Sequence, residues 1–338
     1  MLFPKLKRYW LVSVVFLVCL SILAGCSQPA SPPSSNGGKS ESTEEYPNKP
    51  VEIIVSWAPG GSADLTARLI SSLITPHLGQ SLVTVNRPGG ATVPGHTEIA
   101  QAEPDGYTIG LSWYAAYSLR TNTLECPYTI DDVEYILGLV RQRNVIAVRK
   151  DSPFQTLDDL VKYAKEHPGE LTFSTPGASS WQHMIGAHFN QVAQIETTHV
   201  PYDGGRPAAV AAIGGHVDYV VGQPAEFYAE LESGDIRMLA AMEKERIPAV
   251  PDIPTATELG YEVAHPHMMI IVAPKGVPQD RIQKIHDSIK AVVETEEFNT
   301  LATNMNLEVE YMPGEEVEKE VRELHALYAE LAPLILEE

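Results

Sequence analysis

Residues 51–74 read VEIIVSWAPGGSADLTARLISSLI, which joins two patterns of apolar residues through a glycine-rich loop. The first five residues are typical of a buried strand, and from Leu65 onward leucine and isoleucine recur at helical spacing. The loop from Trp57 to Asp64 therefore leads from a strand into the N-terminus of a helix. Because the first N–H groups of a helix lack partners within it and glycine permits close approach, this loop indicates an anion-binding site.

The same loop has a simpler interpretation. A Walker loop needs Gly-Lys-Ser or Gly-Lys-Thr, and a dinucleotide fingerprint needs Gly-x-Gly-x-x-Gly. Residues 60–64 match neither pattern, so nucleotide binding is not supported. The simpler alternative is a tight turn in which Ser62 caps the helix and Asp64 interacts with the positive end of the helix dipole. On this loop alone, the anion site and the capped turn both stay open.

The N-terminus has the composition of an export signal. Three cations, Lys5, Lys7 and Arg8, precede an apolar segment at 10–20, which is the arrangement of a signal peptide rather than of a spanning helix. The ending Leu-Ala-Gly-Cys at 23–26 resembles a bacterial lipoprotein box. This resemblance implies that residues 1–25 are removed and that Cys26 carries lipid. We therefore expect an exported protein, held by acyl chains at the extracytoplasmic face of the bacterial cell membrane.

Composition limits the partners of the mature chain. Residues 26–45 are rich in Ser, Pro, Gly and Glu and are typical of a flexible tether behind the lipidated cysteine. The formal net charge of −20 disfavours nucleic acid. Oriented amides can still bind an anion locally, since remote charges are screened beyond about 10 Å at 0.1 M salt. Cys19 leaves with the signal, so Cys126 is the one unmodified cysteine and no intramolecular disulfide is expected.

From Tyr46 onward, short strands alternate with helices. This alternation predicts an α/β fold with mainly parallel sheets covered by helices, in which ligands bind beyond the carboxyl ends of strands. Strands are predicted at 51–55, 82–85, 107–111, 145–148, 171–174, 198–200, 217–221, 238–241 and 268–272, and helices at 63–75, 157–166, 180–192, 206–213, 225–232, 279–293 and 315–335.

Several short motifs follow one another in a fixed order along residues 46–335. They are Tyr46-Pro47 with Lys49-Pro50, the loop 57–64, Leu78-Gly79-Gln80, Asn86-Arg87-Pro88-Gly89, Pro104-Asp105-Gly106-Tyr107-Thr108, Val200-Pro201-Tyr202, Val250-Pro251-Asp252-Ile253-Pro254-Thr255, Leu259-Gly260-Tyr261 and Ala273-Pro274-Lys275-Gly276-Val277-Pro278. With this set the chain resembles the Bug (TctC-like) family of extracytoplasmic solute receptors, which serve tripartite tricarboxylate transporters.

The resemblance implies a two-lobed fold of the periplasmic-binding-protein type II kind, with a hinge and an interlobe ligand cleft. Lobe 1 would comprise 46–145 plus 268–338, and lobe 2 would comprise 146–267, with crossings near Asn144 and His267. The implied partners are a small carboxylate ligand and the large and small membrane subunits of the transporter. A monomer without cofactor, metal or catalytic residues is expected.

The family's site can be carried over residue by residue. In lobe 1 the amides of the first loop would meet a ligand carboxylate, and in lobe 2 two loops, 174–180 and 201–205, would face them. Helix capping by Ser179 or Ser180, and packing of Tyr202 under a turn, stay as alternatives. The implied ligand-binding residues are Trp57, Gly60, Gly61, Ser62, Ala63, Asp64, Ser112, Trp113 and Tyr114 from lobe 1, and Ser174, Gly177, Ser179, Ser180, Tyr202, Gly204 and Gly205 from lobe 2.

The chain departs from the family pattern at several aromatic positions. Trp57 stands where the family usually has Phe, and Trp113-Tyr114 stands where small hydroxyl residues are usual. Trp181 follows the serines of lobe 2. Since indoles offer large apolar faces with one N–H donor each, these tryptophans predict a flat or apolar ligand body beyond the carboxylate. Ordinary core packing is the alternative.

The charges near the cleft also depart from the family pattern. Asp203 replaces a frequent Lys, and Gly222-Gln223 replaces a frequent Asp-Asn. Loss of a cation disfavours a highly charged tricarboxylate, unless Arg206 compensates for it. Arg206 at the first turn of a helix can equally face solvent.

Other function classes have weaker support in the sequence. His183 and His188 lie five residues apart and His265 and His267 two apart, so neither pair has metal-site spacing and structural roles are expected. No Gly-x-Ser-x-Gly elbow and no Cys-His nucleophile pattern is present, which disfavours a hydrolase or transferase. A ligand-sensing lipoprotein that acts on a signalling partner stays as the main alternative to a transport receptor.

Overall fold

A computed structural model describes residues 45–336, and within this range the strands form two sheets. The strands are β1 (Val51–Val55), β2 (Leu82–Asn86), β3 (Thr108–Trp113), β4 (Val133–Gln142), β5 (Val145–Arg149), β6 (Thr172–Thr175), β7 (Thr198–Pro201), β8 (Tyr219–Gly222), β9 (Ile236–Ala241), β10 (His267–Pro274) and β11 (Glu308–Pro313). Their order is β11-β4-β10-β3-β1-β2 in the first sheet and β7-β6-β8-β5-β9 in the second.

Helices cover both sheets. They are α1 (Ser62–Leu73), α2 (Thr75–Leu78), α3 (Val93–Ala100), α4 (Tyr114–Ser118), α5 (Arg120–Thr123), α6 (Leu157–Glu166), α7 (Trp181–Ala193), α8 (Gly205–Ile213), α9 (Tyr228–Ser233), α10 (Gln279–Val293), α11 (Glu296–Asn304), α12 (Gly314–Leu331) and α13 (Pro333–Leu336), with short 3₁₀ turns at Gly90–Thr92, Pro224–Glu226 and Thr257–Leu259.

The sheets are mixed, which corrects the prediction of mainly parallel sheets. In the described residues β1 pairs in parallel with β2 and β3, and β6 pairs in parallel with β7 and β8. The other five pairings, which involve β4, β5, β10 and β11, are antiparallel. The reason is topological. The chain runs from the first sheet to the second through β4 and β5 and returns through β9 and β10, so β10 lies antiparallel to β4 and β9 lies antiparallel to β5.

The parallel strands determine where the loops lie. Parallel neighbours present their carboxyl ends at one edge of a sheet. In the first sheet, the loops after β1, β2 and β3 therefore open at the same edge. In the second sheet, the same holds for the loops that follow β6, β7 and β8. These are the loops that contain most of the ligand-binding residues expected from the sequence.

Two strands were not predicted, β4 and β11. β4 is nearly all buried and lies between β10 and β11. A strand buried on both faces reads as a continuous apolar run without alternation, so its periodicity gives no clear signal. β11 is half-buried along its whole length, which also hides the alternation.

Two connections join the sheets. The chain passes from β4 to β5 through Arg143 and Asn144, and residues 242–266 lead from β9 back to β10. A backbone hydrogen bond from Met242 N to Asn144 O (2.8 Å) joins the two connections, and one from His265 N to Met242 O (3.1 Å) joins the two ends of the second. From Glu45 onward the chain forms one compact unit, and the lobe boundaries given above stay a prediction.

The predicted signal peptide at 1–25, the lipidated Cys26 and the tether up to residue 44 lie outside the described residues. Within 45–336, Cys126 is a free, half-buried thiol. No described helix has the length and apolar composition that a membrane crossing requires. The same residues contain no cluster of three or more His, Cys, Asp or Glu side chains suited to a metal ion.

Candidate ligand-binding cleft

The N-terminus of α1 lies at the edge formed by the parallel strands of the first sheet. Gly61 is its N-cap residue, with extended backbone angles (φ −78°, ψ 168°), and it offers no side-chain acceptor to the amides of the first turn. Ser62 is already the first helical residue, so the alternative in which Ser62 caps the helix is not what the structure shows. The positive end of this helix is thus available to an anion.

Asp64 supports the loop from within. Its side chain is 2% exposed, and its carboxylate accepts hydrogen bonds from Gly60 N (2.9 Å), Arg68 Nε (3.0 Å) and Asn86 Nδ2 (2.8 Å). Burial opposes ionisation, but the hydrogen bonds from Arg68, Gly60 and Asn86 lower the pKa of this carboxyl below its usual value. The amide of Gly60, predicted to meet the ligand, is therefore bonded to Asp64.

A cavity of about 330 Å³ lies beside Ser62. One wall comes from the first sheet, with the end of β4 at 140–143 and residues 305–308. The other comes from the second sheet, with 223–225, Tyr228, Ile247 and Ala249. This volume falls within the range of small-molecule sites. Ser62 is thus brought together with the loop that follows β8, across a space between the two sheets.

Two arginines in this cavity wall were missed by the sequence analysis. Arg141 contacts Glu310 (2.9 Å) and Glu320 (3.2 Å), and Arg143 contacts Glu308 (2.8 Å) and Glu310 (2.9 Å). Arg141 lies within β4 and Arg143 directly follows its end, and both guanidinium groups donate to the carboxylate of Glu310. Two cations therefore face three carboxylates, so the network has no positive charge left for a ligand. The pattern Arg-x-Arg at the end of an apolar run was the available signal.

Ser112 is completely buried and bonded within the protein. Its hydroxyl lies 2.7 Å from Nε2 of His96, whose Nδ1 lies 2.8 Å from the carbonyl oxygen of Thr92. Because a carbonyl can only accept, Nδ1 carries the hydrogen and Nε2 accepts from Ser112. Burial lowers the pKa of His96 to about 4, so the ring is neutral. Trp57 packs edge-on against this ring at 5.5 Å.

The other two tryptophans do not form the predicted aromatic pocket. His267 lies between them, stacked on Trp113 (centroids 5.2 Å, interplanar angle 12°) and against Trp181 (4.0 Å, 30°). Both indoles are almost completely buried, whereas Trp57 keeps partial exposure. The space between the two indoles is thus filled by a protein side chain. The alternative of core packing fits Trp113 and Trp181.

Two further predicted site residues are also internal. Tyr114 is completely buried, and its hydroxyl donates to Glu320 Oε2 at 3.1 Å. Ser174 is completely buried, and its hydroxyl donates to the carbonyl oxygen of Ala208 at 2.8 Å. Both side chains point into the packing of their own sheet, because each occupies an inward position next to or within a strand. Neither is placed to contact a ligand in this structure.

The helix that follows β6 is capped by its own serine. The side chain of Ser180 accepts from His183 N at 3.1 Å, which is the capping role considered above. Ser179 has a positive φ of 55°, and its N–H donates to His183 Nδ1 at 3.2 Å. Ser179 and Ser180 thus serve the start of α7.

The two loops of the second sheet are bonded to each other. Tyr202 N donates to Thr175 O (3.1 Å), and Gly204 N donates to Pro176 O (3.1 Å). Gly177 and Tyr202 are half-buried. Gly204 has φ 112° and is the N-cap residue of α8, again without a side-chain cap. The positive φ explains why a glycine is needed there.

Arg206 does not face the first loop. It donates to both carboxylate oxygens of Glu230 (2.8 and 2.6 Å) and to the backbone oxygen of Glu226 (2.9 Å). Asp203 is exposed. The alternative in which Arg206 compensates for the lost cation thus has no support, because its guanidinium is bonded to Glu230 and to the backbone oxygen of Glu226.

The histidines have structural partners. His188 Nδ1 lies 2.8 Å from His265 Nε2, and His265 Nδ1 lies 3.1 Å from the hydroxyl of Tyr328. Burial lowers the pKa of His265 to about 3. His183 stacks on His199 with centroids 3.7 Å apart. These contacts agree with the structural roles expected from their spacing.

Comparison with known proteins identifies the architecture. A family model described as "Tripartite tricarboxylate transporter family receptor" matches residues 66–330. Protein BugT of Bordetella pertussis is 31% identical over 264 residues, which is 75% of this chain and 81% of BugT. A TctC solute-binding protein from Polaromonas superposes with a TM-score of 0.79 at 26% identity, covering 85% of this chain and 98% of its own. MatC from Rhodopseudomonas palustris, solved with bound malate, superposes with a TM-score of 0.68 at 24% identity, covering 85% and 100%. The predicted fold class is confirmed.

Proposed function

The chain belongs to the tripartite tricarboxylate transporter receptor family, a family of solute-binding receptors and not of enzymes, and on this premise we propose that it captures a small carboxylate. The receptor would deliver this ligand to the large and small membrane subunits of a transporter. One observation carries the proposal. The uncapped first turn of α1 begins at a cavity of about 330 Å³ between the two sheets.

The chemistry of this helix start suits a carboxylate. Gly61 contributes no side chain that would compete for the first-turn amides, and Asp64 holds the loop from its buried side. A helix N-terminus provides oriented N–H donors and a partial positive charge. The malate bound to MatC is a ligand of the same chemical class, which supports the proposal.

The experiment is a calorimetric titration of the purified protein with small carboxylates, with the matching primary amides as controls. The proposal expects saturable binding of at least one carboxylate and at least 100-fold weaker binding of its amide, because the amide lacks the charge that the helix start favours. Equal affinity for acid and amide would contradict it. Consumption of the ligand during the titration would point to an enzyme.

We also propose that the receptor is a lipoprotein. The box at 23–26 supports lipidation of Cys26, and the tether would place residues 46–338 beyond the membrane surface. Cys26→Ser should move the protein from the membrane fraction to the soluble extracytoplasmic fraction. Cys126→Ser, which alters a half-buried thiol, is the control and should stay with the membrane. An unchanged distribution of Cys26→Ser would contradict anchoring.

A ligand-sensing lipoprotein is the second candidate, because it would use the same cleft. The two roles differ in their partner. Cross-linking of the ligand-loaded protein in membranes should recover the two transporter subunits if the proposed role is right. Recovery of a signalling protein in their place would favour the sensor.

A further inference from the structure

The charged network in the wall of the cavity beside Ser62 has more carboxylates than guanidinium groups. Arg141 and Arg143 supply the two positive charges, and Glu308, Glu310 and Glu320 supply the three negative ones. Glu310 accepts hydrogen bonds from both arginines, and Glu320 accepts one from Arg141. The arginines are thus shared with two carboxylates besides Glu308, and the network carries one negative charge in excess.

Glu308 is the carboxylate of this network that lines the cavity. Its Oε1 atom accepts from Arg143 Nε at 2.8 Å, whereas its Oε2 atom has no hydrogen-bond partner within residues 45–336. The side chain of Glu308 is 41% exposed, against 13% for Arg143. A ligand that enters the cavity therefore meets the carboxylate of Glu308 rather than the guanidinium that is bonded to it.

Tyr228 lines the same cavity from the side of the second sheet and is 42% exposed. In the described part of the chain its hydroxyl has no hydrogen-bond partner, and none of the contacts between a cation and an aromatic ring involves it. Partial burial and, to a smaller extent, the negative charge of Glu308 raise the pKa of this hydroxyl. Tyr228 and Glu308 thus lie within electrostatic reach of each other across the cavity.

A carboxylate oxygen without a partner and an exposed aromatic ring both favour a cation. The carboxylate accepts the N–H groups of an ammonium ion in charge-assisted hydrogen bonds, and the face of a tyrosine ring attracts the same ion through its quadrupole. Nothing on the second sheet's side of the cavity neutralises Glu308, because its other lining residues are uncharged: Gln223, Pro224, Ala225, Ile247 and Ala249.

We propose that the ligand of this cleft is a carboxylate that also carries a protonated amine, and that the amine binds between Glu308 and Tyr228. This inference deepens the proposed function and rests on it. The ligand's carboxylate would bind at the start of α1, where Ser62 lines the same cavity. A second carboxylate in place of the amine would meet the like charge of Glu308, which selects against it. A methyl group there would leave Oε2 of Glu308 without a donor.

The test uses acids in which one terminal group changes and the rest of the molecule stays the same. Three series carry a methyl, an ammonium or a carboxylate group at that end. They are butyrate, β-alanine and succinate; hexanoate, 5-aminopentanoate and adipate; and 4-ethylbenzoate, 4-(aminomethyl)benzoate and 4-(carboxymethyl)benzoate. In calorimetric titrations at neutral pH, wild-type protein should bind the amine of the best-binding series at least tenfold more tightly than the methyl compound, and the dicarboxylate most weakly.

Substitutions identify the residues that cause this preference. Glu308→Gln removes the charge and should lower the ratio of amine affinity to methyl affinity at least tenfold. Glu98→Gln is the matched control, because Glu98 is 43% exposed and is paired with Arg87 away from the cavity, and its ratio should equal that of the wild type. Tyr228→Leu removes the ring and should lower the ratio at least threefold, whereas Tyr228→Phe, which keeps the ring, should lower it less.

The outcomes separate the two proposals. Wild-type protein that binds the methyl compound or the dicarboxylate at least as tightly as the amine overturns the amine site and leaves carboxylate capture intact. A ratio that stays unchanged in Glu308→Gln, or that falls equally in Glu98→Gln, has the same effect. Failure of folded wild-type protein to bind any of the nine acids overturns carboxylate capture itself, and the inference with it. The wild-type preference needs no variant to fold.

Discussion

The starts of α1 and α7 look alike in sequence and differ in structure. Both follow a parallel strand through a loop of glycine and serine, and both were predicted to bind the ligand. In α1 the N-cap is Gly61, without a side-chain acceptor, whereas in α7 the side chain of Ser180 accepts the amide of His183. One residue, the N-cap, thus makes the difference. The first-turn amides of α1 stay available to a ligand, whereas an amide of α7 is already bonded to a side chain of the protein.

This comparison shows why a loop motif does not identify a site. A serine at the N-cap satisfies an amide that would otherwise bind an anion, and so it competes with the ligand for the same donor. A glycine at the N-cap leaves that donor available. We therefore assign carboxylate binding to α1 and a structural role to the start of α7, and four substitutions test that assignment.

Gly61→Asp should have the largest effect. A carboxylate at the N-cap would accept the first-turn amides and repel the ligand, so affinity for the carboxylate should fall at least 100-fold, about 2.7 kcal/mol. A Cβ at this position would meet only Ala58 O, at 3.7 Å, so thermal unfolding should be unchanged or slightly higher. Ala58→Asp, with the same charge on an exposed residue of the same loop, is the control. An affinity of Gly61→Asp within threefold of the wild-type value would contradict the assignment of carboxylate binding to the start of α1.

Asp64→Ala should reduce both stability and binding. The substitution leaves Gly60 N without its acceptor and removes one of the two acceptors of Asn86 Nδ2, which keeps its bond to Trp57 O, so the free energy of unfolding should fall by about 1–3 kcal/mol. Affinity should also fall, because the loop loses its inner support. Chemical denaturation and calorimetry measure the two effects. The exposed pair of Arg87 and Glu98 supplies the control, since Glu98→Ala should change stability by less than about 1 kcal/mol. Equal losses in both variants would argue against a special role for Asp64.

His267→Phe tests the packing that holds the start of α7. Burial and the charge of Arg141 lower the pKa of His267 to about 3, below the value near 6.5 of an unfolded chain. Below pH 6.5 the unfolded state binds a proton that the folded state does not, so wild-type stability should fall with pH by about 1.4 kcal/mol per unit from this group. Above pH 6.5 the group has no such effect.

Phenylalanine keeps a ring between the two indoles but does not titrate. The difference in unfolding free energy between wild type and variant should therefore change with that slope between pH 6.5 and 4.5 and be constant from pH 7 to 8. A constant difference over the whole range would show that folding does not lower the pKa of His267.

Ser180→Ala should have the smallest effect. Loss of the cap should cost about 1 kcal/mol of unfolding free energy, while carboxylate affinity should change less than threefold. Thr156→Ala is matched to it, because Thr156 caps α6 in the same way, with its side chain accepting from Asp159 N. The two variants should lose similar stability. A tenfold loss of carboxylate affinity in Ser180→Ala, but not in Thr156→Ala, would show that the start of α7 takes part in ligand binding.

The fold was predictable to a large extent because it depends on patterns that sequence carries. The bounds of β1, α6 and α10 were predicted to the residue, since their apolar periodicity is regular. The mixed pairing and the strand β4 were missed, because strand direction depends on the passage between sheets and a strand buried on both faces has no alternation.

The site was less predictable because it depends on where side chains point. The motif order located the loops, but it could not show that Ser112 bonds to His96 or that Ser174 bonds to Ala208. Nor could it show that His267 fills the space between two tryptophans.

The most direct test of the central claim follows backbone amides during binding. Amide resonances of ¹⁵N-labelled protein would be recorded while the tightest-binding carboxylate of the series is added. We predict that the amide resonances of Ser62 and Ala63, in the first turn of α1, shift downfield and follow a saturation curve with the dissociation constant measured by calorimetry. The amide resonance of His183, whose N–H is bonded to Ser180, should keep its position. A shift of His183 with unchanged Ser62 and Ala63 would contradict the claim that the ligand's carboxylate binds at α1.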